Sequence, residues 1–194
     1  TAQNPLVTLT QTTDLIVTVQ GGNGCRDRDT VRLVVTPTPV ANIVGLEMVC
    51  LNELTTLLAS GGETYLWNTG AITPRINLIA QSSALYTVVT FVDDCPSKPD
   101  SLFLEVDTIL PTASFFVDPD SGLLPLTTTF FNQSQLATSF DWDFGDGNGS
   151  TAFGPSHTYQ DTGRFDVRLI VYTGNGCRDT AYSKVIVGAD FTIY

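Results

Sequence analysis

The chain has 194 residues, of which 20 are acidic and 9 are basic, so its formal net charge is −11 and its isoelectric point is about 4.1. Nucleic acids and anionic membrane surfaces bind clustered Lys and Arg, so this composition excludes both as expected partners. Hydrophobic residues make up 42% of the chain, which is enough for packed cores and excludes global disorder. No run of about 18 apolar residues is present, so we expect no membrane insertion in this segment.

Residues 1–37 predict one β-hairpin. Alternating strand patterns at 15–19 and 30–35 flank the turn sequence Gly-Asn-Gly-Cys-Arg-Asp at 22–27, and this order is the signature of a hairpin. The hairpin aligns with the second half of the unit that follows it, where Cys95 matches Cys25.

A half sandwich cannot bury its apolar face alone. We therefore expect either a window from a longer tandem array or a subunit that is completed by a strand from a neighbouring chain. The first residues also lack the charged and apolar regions of a signal peptide, so we expect a removed signal or a slice of a longer protein.

Residues 38–107 contain the strand patterns of a complete sandwich. They lie at 48–50, 55–60, 64–67, 75–78, 85–90 and 101–106. The Cys50 that opens an early strand, the Gly61-Gly62 turn and the Trp67-x-x-Gly70 sequence resemble the Ig-like repeats of very long Bacteroidetes surface proteins. This resemblance implies an immunoglobulin-like β-sandwich with a buried Trp67 at its centre.

The third unit, 108–188, carries the most specific motif of the chain. It consists of the sequence Trp142-Asp143-Phe144-Gly145-Asp146-Gly147, followed by Pro155-Ser156-His157-Thr158-Tyr159. These residues resemble the PKD domain, an immunoglobulin-like module of extracellular and cell-surface proteins. The resemblance implies a structural or binding module with Trp142 in its core. Residues 189–194 echo the start of this unit and predict the first strand of a following domain.

Taken together, the units predict an all-β chain. We expect tandem immunoglobulin-like and PKD-like antiparallel β-sandwiches in an extended array, with short Pro-bearing junctions between them.

The four cysteines fit no zinc site, because no CxxC pair exists and His157 is the only histidine. Cys50 opens one strand and Cys95 ends an antiparallel strand near the same end of one sandwich. We predict that these two form a disulfide, which implies an oxidising exterior. Cys25 is expected to pair with a cysteine in the other half of its domain. Relatives of this PKD type carry a partner cysteine where this chain has Leu123, so Cys177 is expected to be a free, partly buried thiol, or else an interchain disulfide.

Catalysis has little support in the sequence. A nucleophilic triad needs an activating histidine, and His157 lies in the PKD element, where it resembles a structural residue that packs beside Trp142. Asp143 and Asp146 are expected to hydrogen-bond to the backbone of their turn rather than to act as paired carboxylates. We therefore predict no enzyme.

Two kinds of surface site remain as candidates. A structural calcium ion is the most credible ligand, since it binds carboxylate and carbonyl oxygens; otherwise we expect no cofactor. The calcium candidates are Asp93, Asp94, Asp118 and Asp120. Asp followed by Ser or Thr and an aliphatic residue resembles the O-glycosylation motif of exported Bacteroidetes proteins, and the alternative is a turn Asp before a β-branched strand residue. The O-glycosylation candidates are Thr30, Ser101, Thr108 and Thr180.

These features favour a non-catalytic stalk or filament segment of a large secreted cell-surface adhesin or fibre, such as the type IX secreted and gliding-associated proteins that the chain resembles. Its partners are then neighbouring domains or copies of the same protein. The alternative is a carbohydrate- or protein-binding accessory module, with surface polysaccharide as a partner. Strand alternation places one ring each of Phe115-Phe116 and Phe130-Phe131 outward, and a flat row of such rings would favour sugar binding.

Overall fold

The computed structural model describes residues 6–188, and every helix or strand assigned in that range is a β-strand. In chain order the strands are β1 (Thr13–Gln20), β2 (Arg26–Leu33), β3 (Asn42–Val44), β4 (Met48–Cys50), β5 (Leu54–Ser60), β6 (Thr64–Trp67), β7 (Arg75–Ile79), β8 (Ala84–Val92), β9 (Cys95–Pro96), β10 (Asp100–Asp107), β11 (Phe115–Asp118), β12 (Ser121–Leu123), β13 (Leu126–Asn132), β14 (Ser139–Asp143), β15 (Gly149–Ser150), β16 (Ser156–Tyr159), β17 (Gly163–Tyr172) and β18 (Arg178–Gly188). Among these residues there is no helix long and apolar enough to cross a lipid bilayer. The predicted all-β class is confirmed.

The internal contacts divide the chain into two units. Of the described residues, unit 1 contains 6–45, Thr56–Asn77 and Leu85–Phe103, and unit 2 contains Leu46–Thr55, Leu78–Ala84 and 104–188. Residues of the predicted Ig-like segment 38–107 are therefore found in both units. The strand predicted at 189–194 lies outside the described residues.

In unit 1, β1 and β2 form the predicted hairpin as a separate two-stranded sheet. Thr13 pairs with Leu33 at the open end, and Gln20 pairs with Arg26 at the turn. Every residue of β2 is exposed, and Ile16 on β1 has 63% of its surface accessible. The alternating pattern thus specifies strands whose apolar side chains, apart from the half-buried Leu15, remain exposed among the described residues.

The remaining strands of unit 1 have buried faces because their apolar residues alternate. In β5, Leu57 and Ala59 point inward, and β6 pairs antiparallel with β8 so that Trp67 lies opposite the buried Val88. Trp67 is 2% exposed, and its Nε1 donates a hydrogen bond to the Thr73 carbonyl oxygen at 2.9 Å. The prediction of a buried Trp67 is confirmed.

Most of unit 2 is a sandwich of two sheets. One has the order β11-β13-β16 and the other the order β12-β18-β17-β14-β15. The long β17–β18 hairpin pairs Gly163 with Val187 and Tyr172 with Arg178. The buried core consists of Leu126, Phe130, Trp142, Phe144, Tyr159, Val167, Leu169, Val171, Val185 and Val187.

Unit 2 also contains the segment Leu46–Thr55. Strand β4 runs parallel to the end of β10, with Cys50 opposite Asp107, and Leu51 N donates to the Asp107 carbonyl oxygen at 2.9 Å. This pairing places Cys50 at the final residue of β10.

Candidate functional site

The signature loop after β14 is held by its own acidic side chains. Asp143 Oδ1 accepts a hydrogen bond from Gly145 N at 3.0 Å, and Asp146 Oδ1 accepts one from Asn148 N at 3.1 Å. Gly145 has a φ of +82°, and a Cβ at that position would lie 2.6 Å from the Asp166 carbonyl oxygen. The expectation that Asp143 and Asp146 bond to turn backbone is confirmed, and the close approach explains why only glycine fits between them.

His157 joins this loop to strand β16. Its Nε2 lies 2.7 Å from Asp146 Oδ2, and both side chains are less than one fifth exposed. The imidazole stacks on Phe144 with ring centroids 4.4 Å apart, and it meets Tyr159 edge-on at 4.7 Å. His157 thus packs on Phe144 and Tyr159, whereas the sequence placed it beside Trp142.

Trp142 and Tyr159 anchor the loop to the core. The Trp142 side chain is 1% exposed, and its Nε1 donates to the Ala152 carbonyl oxygen at 2.9 Å. Tyr159 is fully buried, and its hydroxyl donates to the Phe144 carbonyl oxygen at 3.0 Å. Burial, followed by the charges of Asp146 and Asp143, raises the pKa of Tyr159, so the phenol remains a neutral donor.

The electrostatics of the loop favour an ionised Asp146. Burial raises the pKa of Asp146, but hydrogen bonds from His157 and Asn148 outweigh that effect, and the pKa lies below its ordinary value of 3.8. Among the hydrogen bonds of the described residues, none joins His157 to a Ser, Thr or Cys side chain. The arrangement therefore stabilises the turn.

A disulfide in unit 2 corrects two expectations. Cys50 is bonded to Cys177, with Cα atoms 5.6 Å apart, and Cys95 is a free thiol. The predicted Cys50–Cys95 bond is therefore wrong, and so is the expectation that Cys177 is free. The reason is strand direction: β4 is parallel to β10, so Cys50 lies beside the last residue of β10, while Cys95 precedes the first residue of that strand.

The turn around Cys177 makes further contacts that the sequence did not identify. Asn175 Nδ2 donates to Asp107 Oδ2 at 2.8 Å, and Asp179 Oδ2 accepts a hydrogen bond from Ala113 N at 2.8 Å. Hydrogen bonds from Asn175 and from Ile109 N lower the pKa of Asp107. The sequence signal that could have identified them is the repetition of Gly-Asn-Gly-Cys-Arg-Asp at 22–27 and 174–179.

The calcium candidates do not form a group. Asp93 and Asp94 occupy the turn after β8 with positive φ, and Asp120 Oδ1 accepts a hydrogen bond from the Ser121 hydroxyl. Nowhere in residues 6–188 do three or more His, Cys, Asp or Glu side chains gather as metal ligands. Asp118 ends β11 and belongs to no such group, and a bound calcium ion at any of these residues stays a prediction.

The O-glycosylation candidates lie on strands or at their ends. Three are exposed and Thr180 is half-buried; the exposed residues are Thr30, Ser101 and Thr108. The Asp before Thr30 accepts a hydrogen bond from Thr30 N, and Asp179 before Thr180 binds Ala113 N. These contacts give the aspartates a structural role, and modification of the hydroxyls stays a prediction.

The outward rings of unit 2 form a stacked pair. Phe116 and Phe131 are 46% and 42% exposed, whereas Phe130 is fully buried, so the alternation predicted for these pairs is confirmed. The two exposed rings are nearly parallel, with an interplanar angle of 7° and centroids 4.6 Å apart. Parallel rings this close cover each other's faces. They therefore do not form the flat row that sugar binding would favour.

Comparisons with known proteins identify part of the chain. A family model described as the PKD domain matches residues 111–187. Residues 111–187 form a PKD domain. The PKD1 domain of the Vibrio cholerae metalloprotease PrtV is 30% identical, and the match covers 41% of this chain and 98% of that one, with a TM-score of 0.36. No curated protein sequence matches the chain.

Two other solved structures are similar to parts of this chain. The PKD1 domain of Vibrio anguillarum Epp is 29% identical over 42% of this chain and 96% of that chain, with a TM-score of 0.38. A Methanosarcina mazei protein is 35% identical over 50% of this chain and 66% of that chain, with a TM-score of 0.36. The loop of Trp142 to Gly147 with His157 and Tyr159 lies inside the matched PKD domain, and that domain also contains Cys177.

Proposed function

We propose that the chain is a non-catalytic segment of the stalk or filament of a large secreted cell-surface protein. The observation that carries this proposal is the Cys50–Cys177 disulfide, which joins segment Leu46–Thr55 to the last hairpin of the PKD domain. The connection at 108–112 lies within the loop that this bond closes. A pulling force on the two ends of the chain therefore passes through the Cys50–Cys177 bond and bypasses residues 108–112.

The polar contacts beside the disulfide support the same role. Asn175 binds Asp107 immediately before the connection, and Asp179 binds Ala113 N immediately after it. Both contacts come from the turn that carries Cys177. Hydrogen bonds and a disulfide at one junction restrict bending there, which suits a spacer.

The chemistry of the signature loop is consistent with a mechanical role. Its polar groups are used within the fold, since Asp146 and His157 bond to each other and Asp143 bonds to the loop backbone and to Arg168 on β17. A disulfide suits an oxidising exterior, which agrees with an extracellular location. Neighbouring domains or copies of the same protein are the proposed partners.

Electron microscopy of the native material, combined with its chain mass on a denaturing gel, tests this proposal. A thread with a regular axial repeat supports it, whether the chain is far larger than 20.9 kDa or is a small subunit of an ordered polymer. Dispersed small particles near that mass contradict it. That outcome would favour the accessory-module alternative, for which binding of surface polysaccharide to the chain and to Phe131→Ala is the direct assay.

A further inference from the structure

The sequence Gly-Asn-Gly-Cys-Arg-Asp occurs twice, at 22–27 and at 174–179. In the second copy, three side chains bind other segments. Cys177 is bonded to Cys50, Asn175 donates to Asp107, and Asp179 accepts from Ala113 N. The second copy is thus a binding element as well as a turn.

In the first copy the corresponding side chains, Asn23, Cys25 and Asp27, bind no other segment among residues 6–188. Cys25 is a free and exposed thiol. Asn23 Oδ1 lies 3.4 Å from Cys25 N, and Asp27 Oδ1 accepts a hydrogen bond from the next residue, Arg28 N, at 2.9 Å. Within residues 6–188, each side chain that reaches a distant segment in the second copy has only local contacts in the first.

The two turns have the same backbone hydrogen bonds. Gly21 N donates to the Cys25 carbonyl oxygen at 2.9 Å, as Thr173 N donates to that of Cys177 at 2.8 Å. A second bond closes each turn, from Gly24 N to the Gly21 carbonyl oxygen and from Gly176 N to that of Thr173. The first turn therefore already has the backbone conformation in which the second copy binds.

We infer that residues 22–27 are a docking site for the end of another Ig-like domain, and that Cys25 forms a disulfide with a cysteine of that domain, in place of the partner expected within its own domain. The contacts of the second copy define the partner. It presents a thiol in the place of Cys50, a carboxylate in the place of Asp107 and a free backbone N–H in the place of Ala113 N. We assign the partner domain to the same polypeptide chain, as a member of the same array of domains. Only this assignment rests on the proposed stalk function.

The covalent step is a two-electron oxidation. The Cys25 thiol and the partner thiol lose two protons and two electrons, and one S–S bond forms. An oxidised thiol such as glutathione disulfide accepts the electrons and protons and is released as two thiols. Docking raises the effective concentration of the two sulfur atoms and so favours this product over random disulfides.

Full-length variants with single thiols test the docking. The acceptor chain keeps only Cys50 and carries Asn175→Ala and Asp179→Ala, so that none of the three side-chain contacts holds its own turn in the site. The donor chain keeps only Cys25. A matched control donor carries Cys25→Ser and Thr30→Cys, which moves the thiol along the same exposed hairpin. Acceptor and donor are mixed in a glutathione redox buffer, and the mixed dimer is measured on a non-reducing gel.

We expect about tenfold more mixed dimer from the Cys25 donor than from the Thr30→Cys control, and a several-fold decrease when the donor also carries Asn23→Ala. Circular dichroism confirms that each variant retains its strands. Equal yields from the two donors, or no effect of Asn23→Ala, would show that Cys25 is only an exposed thiol and would overturn the inference.

Mass spectrometry of unreduced native protein identifies the source of the partner. We expect the tryptic peptide that ends at Arg26 to be linked to a cysteine peptide of another domain, with no change in chain mass upon reduction. A fall in chain mass upon reduction would place the partner on a separate chain and contradict the choice of source. Recovery of Cys25 as a free thiol would contradict the disulfide, even if the stalk function holds.

Discussion

Replacing Cys177 with serine should increase the contour length that is released when the protein unfolds under force by about 440 Å. The disulfide joins residues 127 apart in sequence, and an extended chain spans about 3.5 Å per residue. The two Cα atoms are only 5.6 Å apart in the folded protein, so almost the whole loop is hidden length. Pulling on the termini of the oxidised chain therefore cannot stretch the residues between Cys50 and Cys177.

Single-molecule force spectroscopy with handles at both termini measures this length. The wild-type chain under reducing conditions should match Cys177→Ser, and Cys95→Ser should match the oxidised wild type. The closed loop also constrains the unfolded chain, and its loss should lower the free energy of unfolding by about 5 kcal/mol in the chain-entropy model.

Two results would refute this reasoning. If Cys177→Ser has the contour length of oxidised wild type, the bond does not carry force. If Cys95→Ser instead releases about 160 Å, the bond joins Cys50 and Cys95, whose separation is much shorter. The second result would also remove the main support for a mechanical role of the junction.

Three further predictions concern the signature loop. Gly145→Ala should destabilise the PKD domain by about 2–3 kcal/mol in urea unfolding, because the new Cβ would meet the Asp166 carbonyl oxygen. Gly147→Ala is the matched control, since Gly147 also has a positive φ (+90°) but open space around it, and it should cost only about 1 kcal/mol. Equal costs for the two variants would contradict the packing argument. Because the pKa of Asp146 is lowered in the fold, its contribution to the free energy of unfolding should be fully present above pH 3.8 and disappear as the pH falls through the folded pKa. Asp146→Asn should therefore lose less stability than the wild type between pH 6 and pH 3. An unchanged pH dependence of the free energy of unfolding would exclude this contribution. Trp142→Ala should cost about 3–5 kcal/mol, and thermal unfolding that shifts by only a few degrees would show that Trp142 is not the centre of the core.

Local chemistry in the sequence was sufficient to predict most strands. The inward-facing Val167, Leu169 and Val171 alternate and specify a strand because the side-chain period of a strand is two, and glycine-containing sequences such as 174–176 specify turns. The signature loop was equally predictable, since Asp143 and Asp146 bond within a few residues of themselves. Such contacts depend on nearby residues only.

The sequence by itself therefore determined the all-β class, the hairpins, the two buried tryptophans and the PKD domain. Only the tertiary structure decided the partner of Cys50, because that depends on the parallel pairing of β4 with β10 and on a turn 127 residues away. It also decided that Phe116 and Phe131 stack on each other, which follows from the cross-strand register of β11 and β13. Periodicity shows which face a residue occupies, but the register and direction of strands determine which residues meet.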